Sequence, residues 1–278
     1  MRIFAGTLLP LLLLLPLSSQ GSSAAPARIA IILDDIGYNR SRGEQALQLP
    51  PAVTFSVIPF TPHSKTLAQK AHAQQREVLL HLPMESADSD RRLDEGGLTQ
   101  QQPEAEIRSR VNAAIAAVPH AVGLNNHMGS GLTTDPQRMG WVMEEVRRTP
   151  LFFIDSMTSA ESVAGSTARR LQIPSIRRDV FLDNQPDASA IDTAFRLLLQ
   201  KARQDGYAVA IGHPHAATLR YLEQALPRLA AEGIELVPVS HLAHQYGRAL
   251  DPPGRWQDLM RLIIAMPAPS STRLDFSR

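Results

Sequence analysis

The 278-residue chain contains no cysteine. Disulfides are therefore excluded, and the fold must be held by its core alone. Aromatic residues make up only 5%, with two tryptophans and four tyrosines. Trp141 falls in a helical pattern and Trp256 in the C-terminal tail, which leaves few flat platforms on which a ligand could stack. Nor is there an excess of either charge: 28 basic residues face 27 acidic ones, and without residues 1–24, which hold Arg2 and no acid, 27 face 27. A neutral chain lacks the surplus positive charge that binding to nucleic acid or to an anionic membrane requires. No GxGxxG or P-loop follows any apolar run, which removes the usual signature of a nucleotide-binding doubly wound sheet.

The N-terminus has the layout of a secretory signal peptide. Met1-Arg2 precedes an apolar stretch over Leu8–Leu17, and small residues Ser18–Ala25 lead to Pro26. Cleavage after Ala24 is expected, with an uncleaved N-terminal anchor as the alternative. The mature protein would be periplasmic or secreted, with no integral membrane span. Residues 27–247 form the expected domain, large enough for one barrel core. Beyond Gly247 a Pro-rich tail, 248–278, carries one short amphipathic segment, Trp256–Met266.

Short apolar runs predict strands at 28–33, 53–58, 77–82, 122–125, 151–154, 175–180, 208–212 and 236–239. Helical periodicity lies between them: Ile107, Val111, Ile115 and Val118 share a face, as do Met139, Val142, Met143 and Val146. Further helices are expected from Ala188 to a stop at Gly206 and from Ala216 to a stop at Gly233. Strands apolar on both faces that alternate with helices imply a parallel sheet with right-handed crossovers. With seven or eight such units the sheet is expected to close into an α/β barrel, and an open sheet is the alternative. Barrels keep their chemistry at the C-terminal strand ends.

Those ends are rich in reactive side chains. Asp34-Asp35 follows the run Arg28–Leu33, and two buried carboxylates need hydrogen bonds or a cation, so one ligand and one base would account for both. His81 follows Val78-Leu79-Leu80, with Glu85 four residues on and Pro83 between them precluding a regular helical pair. His127 lies in a glycine-rich segment behind Asn125-Asn126, which could orient a histidine through its second ring nitrogen. His213-Pro214-His215 ends the run Ala208–Ile211 and suits acid catalysis or metal binding. Asp155 and Asp179 stand at or near strand ends, where either could pair with His213, cap a helix or join a salt bridge. One divalent metal, zinc foremost, with a carboxylate base and an imidazole acid suffices to hydrolyse an amide or ester.

The segments Leu33-Asp34-Asp35-Ile36-Gly37, His81-Leu82-Pro83-Met84-Glu85, Asn126-His127-Met128-Gly129-Ser130 and Gly212-His213-Pro214-His215 together resemble the divergent polysaccharide deacetylase family, within the NodB-like superfamily. The resemblance spans Arg28 to Tyr246. It implies a distorted (β/α) barrel of about seven parallel strands and the removal of acetyl groups from a cell-envelope glycan or oligosaccharide. It also implies Asp34 as base, Asp35 and His81 as metal ligands, and His213 as the acid that protonates the leaving group. Where the superfamily has a second histidine, this chain has Glu85, expected to be a supporting group, and His127 is expected to supply the missing ligand. His215, Asn126, Asp155 and Asp179 are expected in supporting places. The polar loop Glu85–Gln102 is expected to be a substrate lid or a solvated surface loop. The competing reading is a barrel that has lost turnover and binds glycan or an envelope protein.

Overall fold

The computed structural model describes residues 26–247, so the expected signal peptide and the tail with the expected amphipathic segment Trp256–Met266 lie outside the described residues. Among the described residues nine strands form one parallel sheet. They are β1 (Ala27–Ile36), β2 (Thr54–Val57), β3 (Val78–Met84), β4 (Ala121–Met128), β5 (Phe152–Asp155), β6 (Ser175–Arg177), β7 (Val180–Phe181), β8 (Tyr207–Gly212) and β9 (Ile234–Leu236). The helices that cover the sheet or connect its strands are α1 (Arg40–Ala46), α2 (Ser64–Ala73), α3 (Glu104–Ala117), α4 (Pro136–Arg147), α5 (Ala164–Arg170), α6 (Ala188–Asp205), α7 (Ala216–Ala225) and α8 (Val239–Tyr246).

The strand order is β6-β5-β4-β3-β2-β1-β8-β7. One edge of β1 pairs with β8, and the other is shared by β9 near Ala27–Ile29 and β2 from Ile32 onward. The stretch expected as a single strand over 175–180 divides in two. Its first part pairs with β5 and its second with β8, at opposite ends of the sheet. Three peptide steps reach at most about 10 Å, so the two ends must meet: the sheet is rolled into a barrel with an unpaired seam. Arg178 N donates to Asp155 O (2.9 Å) and Asp179 N to Val209 O (2.8 Å), stitching that seam.

Two other expectations are corrected. The last strand lies at Ile234–Leu236 and not at 236–239, because Pro238 is the N-cap of α8 and the helix takes over from Val239. The helix expected through Glu232 tightens to a 3-10 turn over Leu226–Glu232, where Pro227 cannot supply the helical N–H.

The apolar residues separate by strand periodicity. On β1, Ile29, Ile31 and Leu33 pack outward against the helices, while Ala30 and Ile32 face the barrel interior with Leu79, Phe152, Ile154, Val209 and Ile211. The functional candidates continue this inward set by steps of two: Asp34 after Ile32, His81 after Leu79, and His213 after Ile211. On β4, Asn125 and His127 likewise alternate with the outward Leu124.

Asp35 breaks the alternation. The β1–β2 register shifts between Leu33 and Ile36, and Asp35 has φ +57°, so a bulge with a left-handed residue turns the second carboxylate to the same side as the first. Gly37 completes this turn at φ +137°, and a Cβ placed there would lie 2.0 Å from Thr61 Oγ1. Gly37→Ala is therefore expected to destabilise the protein by about 1–3 kcal/mol and to weaken metal binding, because the bulge that presents Asp35 must shift. Urea unfolding and zinc titration of the variant check this, and an unchanged zinc affinity would refute it.

Candidate active site

The strand ends enclose a cleft of about 510 Å³ walled by Asp34, Asp35, His81, His127, Arg178 and His213 among others. Asp35 Oδ1 lies 3.0 Å from His127 Nδ1 and 3.3 Å from His81 Nε2, and the two ring nitrogens are 3.1 Å apart. Ligand atoms at neighbouring corners of a tetrahedral zinc site stand about 3.3 Å apart, so this near-equilateral triangle fits one ion. Although so close to both nitrogens, the buried Asp35 Oδ1 makes no hydrogen bond of proper geometry. An atom left without a partner beside two imidazole nitrogens is what a missing cation would satisfy.

Both imidazoles are held in the tautomer a metal needs. Asn125 Nδ2 donates to both oxygens of Asp34, at 2.9 and 3.1 Å, so its Oδ1 must face His81 Nδ1 at 2.8 Å and accept from it. His81 Nε2 is then left with its lone pair toward the triangle. His127 has the opposite arrangement: Nε2 is 3.0 Å from Asp94 Oδ2, which leaves Nδ1 for the triangle.

Asp34 is not part of the triangle. It is buried, and burial raises its carboxyl above the usual range despite His81, His213 and Asn125, which favour the ionised form. A carboxylate held out of water with a raised pKa is suited to act as a base. Burial pushes Asp35 upward too, but the adjoining imidazoles of His127 and His81 hold it well below its ordinary value. On His127, burial opposes the charged form and Asp35 and Asp94 outweigh it, raising the imidazole to about 9.

Opposite Asp34 stands His213, whose Nε2 is 3.8 Å from Asp35 Oδ2. Its Nδ1 is 2.9 Å from Asp183 Oδ1, and its backbone N donates to Asp183 Oδ2 (2.7 Å), which also accepts from Thr218 Oγ1 (2.7 Å). Burial lowers the pKa of His213, but Asp183 and the Asp34-Asp35 charges raise it to about 9. Burial would push Asp183 up, and His213 holds it below the usual carboxylate range. The result is a fixed imidazolium at neutral pH with one N–H directed at the cleft.

Pairing of His213 with Asp155 or Asp179 and the orienting of a histidine by Asn126 are corrected. Asp155 does not reach His213: it accepts from Met157 N, Ser162 Oγ and Gly165 N and so ties the loop between β5 and α5. Asp179 accepts from Val209 N at the seam. Asn126 does not orient a histidine: it receives Ser156 N and donates to Met128 O, linking the ends of β4 and β5. Glu85 lies outside the triangle, its Oε2 accepting from Gln100 N at 2.6 Å, and it borders a neighbouring cleft. The His215 ring is 5.6 Å from that of His213. Asp183 escaped sequence reasoning because the strand read as ending at Val180 in fact includes Phe181. Asp183 follows two residues later, obeying the same strand-end rule as the others. Arg178 also lines the cleft, donating to Ser156 O and Met157 O beneath the ring of Phe181.

A parallel barrel that gathers two carboxylates and three imidazoles at its C-terminal mouth has the layout in which barrel enzymes carry their sites. More narrowly, the chain belongs to the divergent polysaccharide deacetylase family, whose model matches residues 31–243. It is 34% identical over 249 residues to an uncharacterized protein of Haemophilus influenzae, covering 90% of this chain and 86% of the relative. With the uncharacterized protein YibQ of Escherichia coli it shares 37% identity over 229 residues, 82% of this chain and 71% of that one. An uncharacterized protein of Agrobacterium tumefaciens has a solved structure of the same fold, with TM-score 0.76 and 24% identity, covering 80% of this chain and 91% of that one. Among the described residues no helix is long and apolar enough to cross a membrane.

Proposed function

We propose that the protein is an exported, metal-dependent deacetylase acting on N- or O-acetyl groups of a cell-envelope glycan. The observation that carries this reading is the convergence of Asp35, His81 and His127 on one point, flanked by an unligated buried carboxylate on one side and an Asp183-held imidazolium on the other. Asp35 Oδ1, His81 Nε2 and His127 Nδ1 would hold the ion. When bound, zinc or a similar divalent ion would polarise the acetyl carbonyl and acidify the attacking water.

Asp34 takes the proton of that water as the C–O bond forms. His213 gives its Nε2 proton to the leaving amine or alcohol as the bond to the acetyl carbon breaks, and acetate departs. Asn125 couples the parts, since one amide group both steadies Asp34 and fixes the His81 tautomer. His127 stands in for the superfamily's second histidine, so Glu85 at that position does not leave the ligand set short.

Zinc-loaded protein is expected to release acetate from N-acetylglucosamine oligomers or peptidoglycan fragments, and chelator treatment is expected to abolish that release reversibly. No acetate from any metal-loaded sample would overturn the reading in favour of a glycan- or envelope-protein-binding barrel.

A further inference from the structure

Residues 85–102 leave the barrel after β3 and return before α3. The neck of this loop is fastened independently of the site. Leu98 is fully buried, its N donates to Pro83 O (2.9 Å), and Glu85 N donates to Leu98 O (2.8 Å). Near the base, Ser86 and Ala87 bond to Ser130 Oγ, each at 3.0 Å.

The stretch 88–95 is held differently. Among the described residues, its hydrogen bonds and ion pairs to the rest of the protein run through Asp94 alone, and its others are local. Asp94 Oδ1 accepts from the Tyr38 hydroxyl, just past the Asp34-Asp35 bulge, and Oδ2 lies 3.0 Å from His127 Nε2. Beside it Gly96, at φ +77°, packs so closely on Phe60 that a Cβ would fall 2.4 Å from the ring. Asp88 and Arg91 of the same stretch line the cleft.

We propose that the 85–102 loop is a working part of the metal centre, with Asp94 the positioning residue of His127, so that metal binding and closure of the loop over the cleft are one coupled event. This rests on the metal-centre reading above. Two histidines of the triangle must offer opposite ring nitrogens, and each needs an acceptor on its other nitrogen. For His81 the core supplies Asn125, whereas for His127 the acceptor is Asp94 of the loop. When the loop lifts, Nε2 loses its acceptor and the ring is free to turn or change tautomer, so affinity falls. By reciprocity the ion must favour the latched loop by the same factor. Metal loading thereby sets the wall that Asp88 and Arg91 present to a substrate.

The test uses the full chain and zinc, with affinity read by competition with a chromophoric chelator. The second readout is tryptic nicking after Arg91 and Arg92, both exposed, followed by mass spectrometry. Asp94→Ala is expected to weaken zinc about 10- to 100-fold, and Asp94→Asn, which keeps an acceptor oxygen, is expected to weaken it less. Zinc should slow nicking of the wild type by up to the same factor and barely alter it in Asp94→Ala, whose folding is verified by thermal unfolding. Wild-type zinc affinity in Asp94→Ala, or a nicking rate indifferent to zinc in the wild type, overturns the proposal. If His127→Ala loses zinc while Asp94→Ala retains it, this inference fails alone. If the wild type takes up no zinc at all, the metal-centre reading fails with it.

Discussion

Asp34→Asn and His213→Ala are each expected to lower acetate release about a hundredfold to ten-thousandfold while leaving the metal content at its wild-type value. The expectation follows from where the two side chains stand. Both border the ligand triangle without belonging to it, so removing either deletes a proton carrier and not a ligand. Asparagine at position 34 keeps the shape and loses the base. Alanine at position 213 leaves Asp183 with Thr218 and the backbone of residue 213, so the strand end stays anchored.

The pH dependence has a definite sign. Activity rises as Asp34 ionises, later than an ordinary carboxyl because burial raises it. It falls as His213 gives up its proton; without a cation that happens near pH 9, and a cation beside Asp35 would bring the limb to lower pH. Loss of the alkaline limb in His213→Ala, with residual activity flat through that range, would support the assignment. Activity unaffected by both substitutions would refute the mechanism.

The second large effect concerns the ligands. Asp35→Ala, His81→Ala and His127→Ala are each expected to reduce bound zinc from about one ion per chain toward none, since zinc needs three protein donors here to keep a position open. A thermodynamic readout accompanies the stoichiometry: zinc at about 100 times its Kd should add about 2.7 kcal/mol to wild-type stability and nothing to His81→Ala. If Asp35→Ala and His127→Ala both retain the wild-type ion, the ligand set is wrong.

How far the sequence alone reached depended on whether a feature was local. Apolar runs ending in Asp34, His81 and His213 were legible because strand periodicity and the strand-end rule act over a few residues. The split at Arg178-Asp179 was not, because only closure of the sheet puts Ser175–Arg177 and Val180–Phe181 against different neighbours. With that split went the identity of the partner of His213: Asp183 lies beyond the strand end read at Val180, and the sequence offers Asp155 and Asp179 as partners instead. Asp94 was hidden for another reason. Nothing in a polar loop with several acidic residues tells which one folds back onto a histidine 33 positions later, since Tyr38 and Phe60, which guide it there, lie far off in the chain.

The steps of two that bring His81 and His127 into the barrel interior make the ion a gauge of strand alignment. Slipping β3 or β4 by one residue against its neighbours would turn its imidazole to the helical side, and no compensating imidazole stands one position away, where Leu82 and Asn126 would take its place. A barrel whose strands pair one step out of place could still be compact and helical. It could not hold the ion, so zinc retention after refolding would count the correctly threaded molecules in a way that circular dichroism could not.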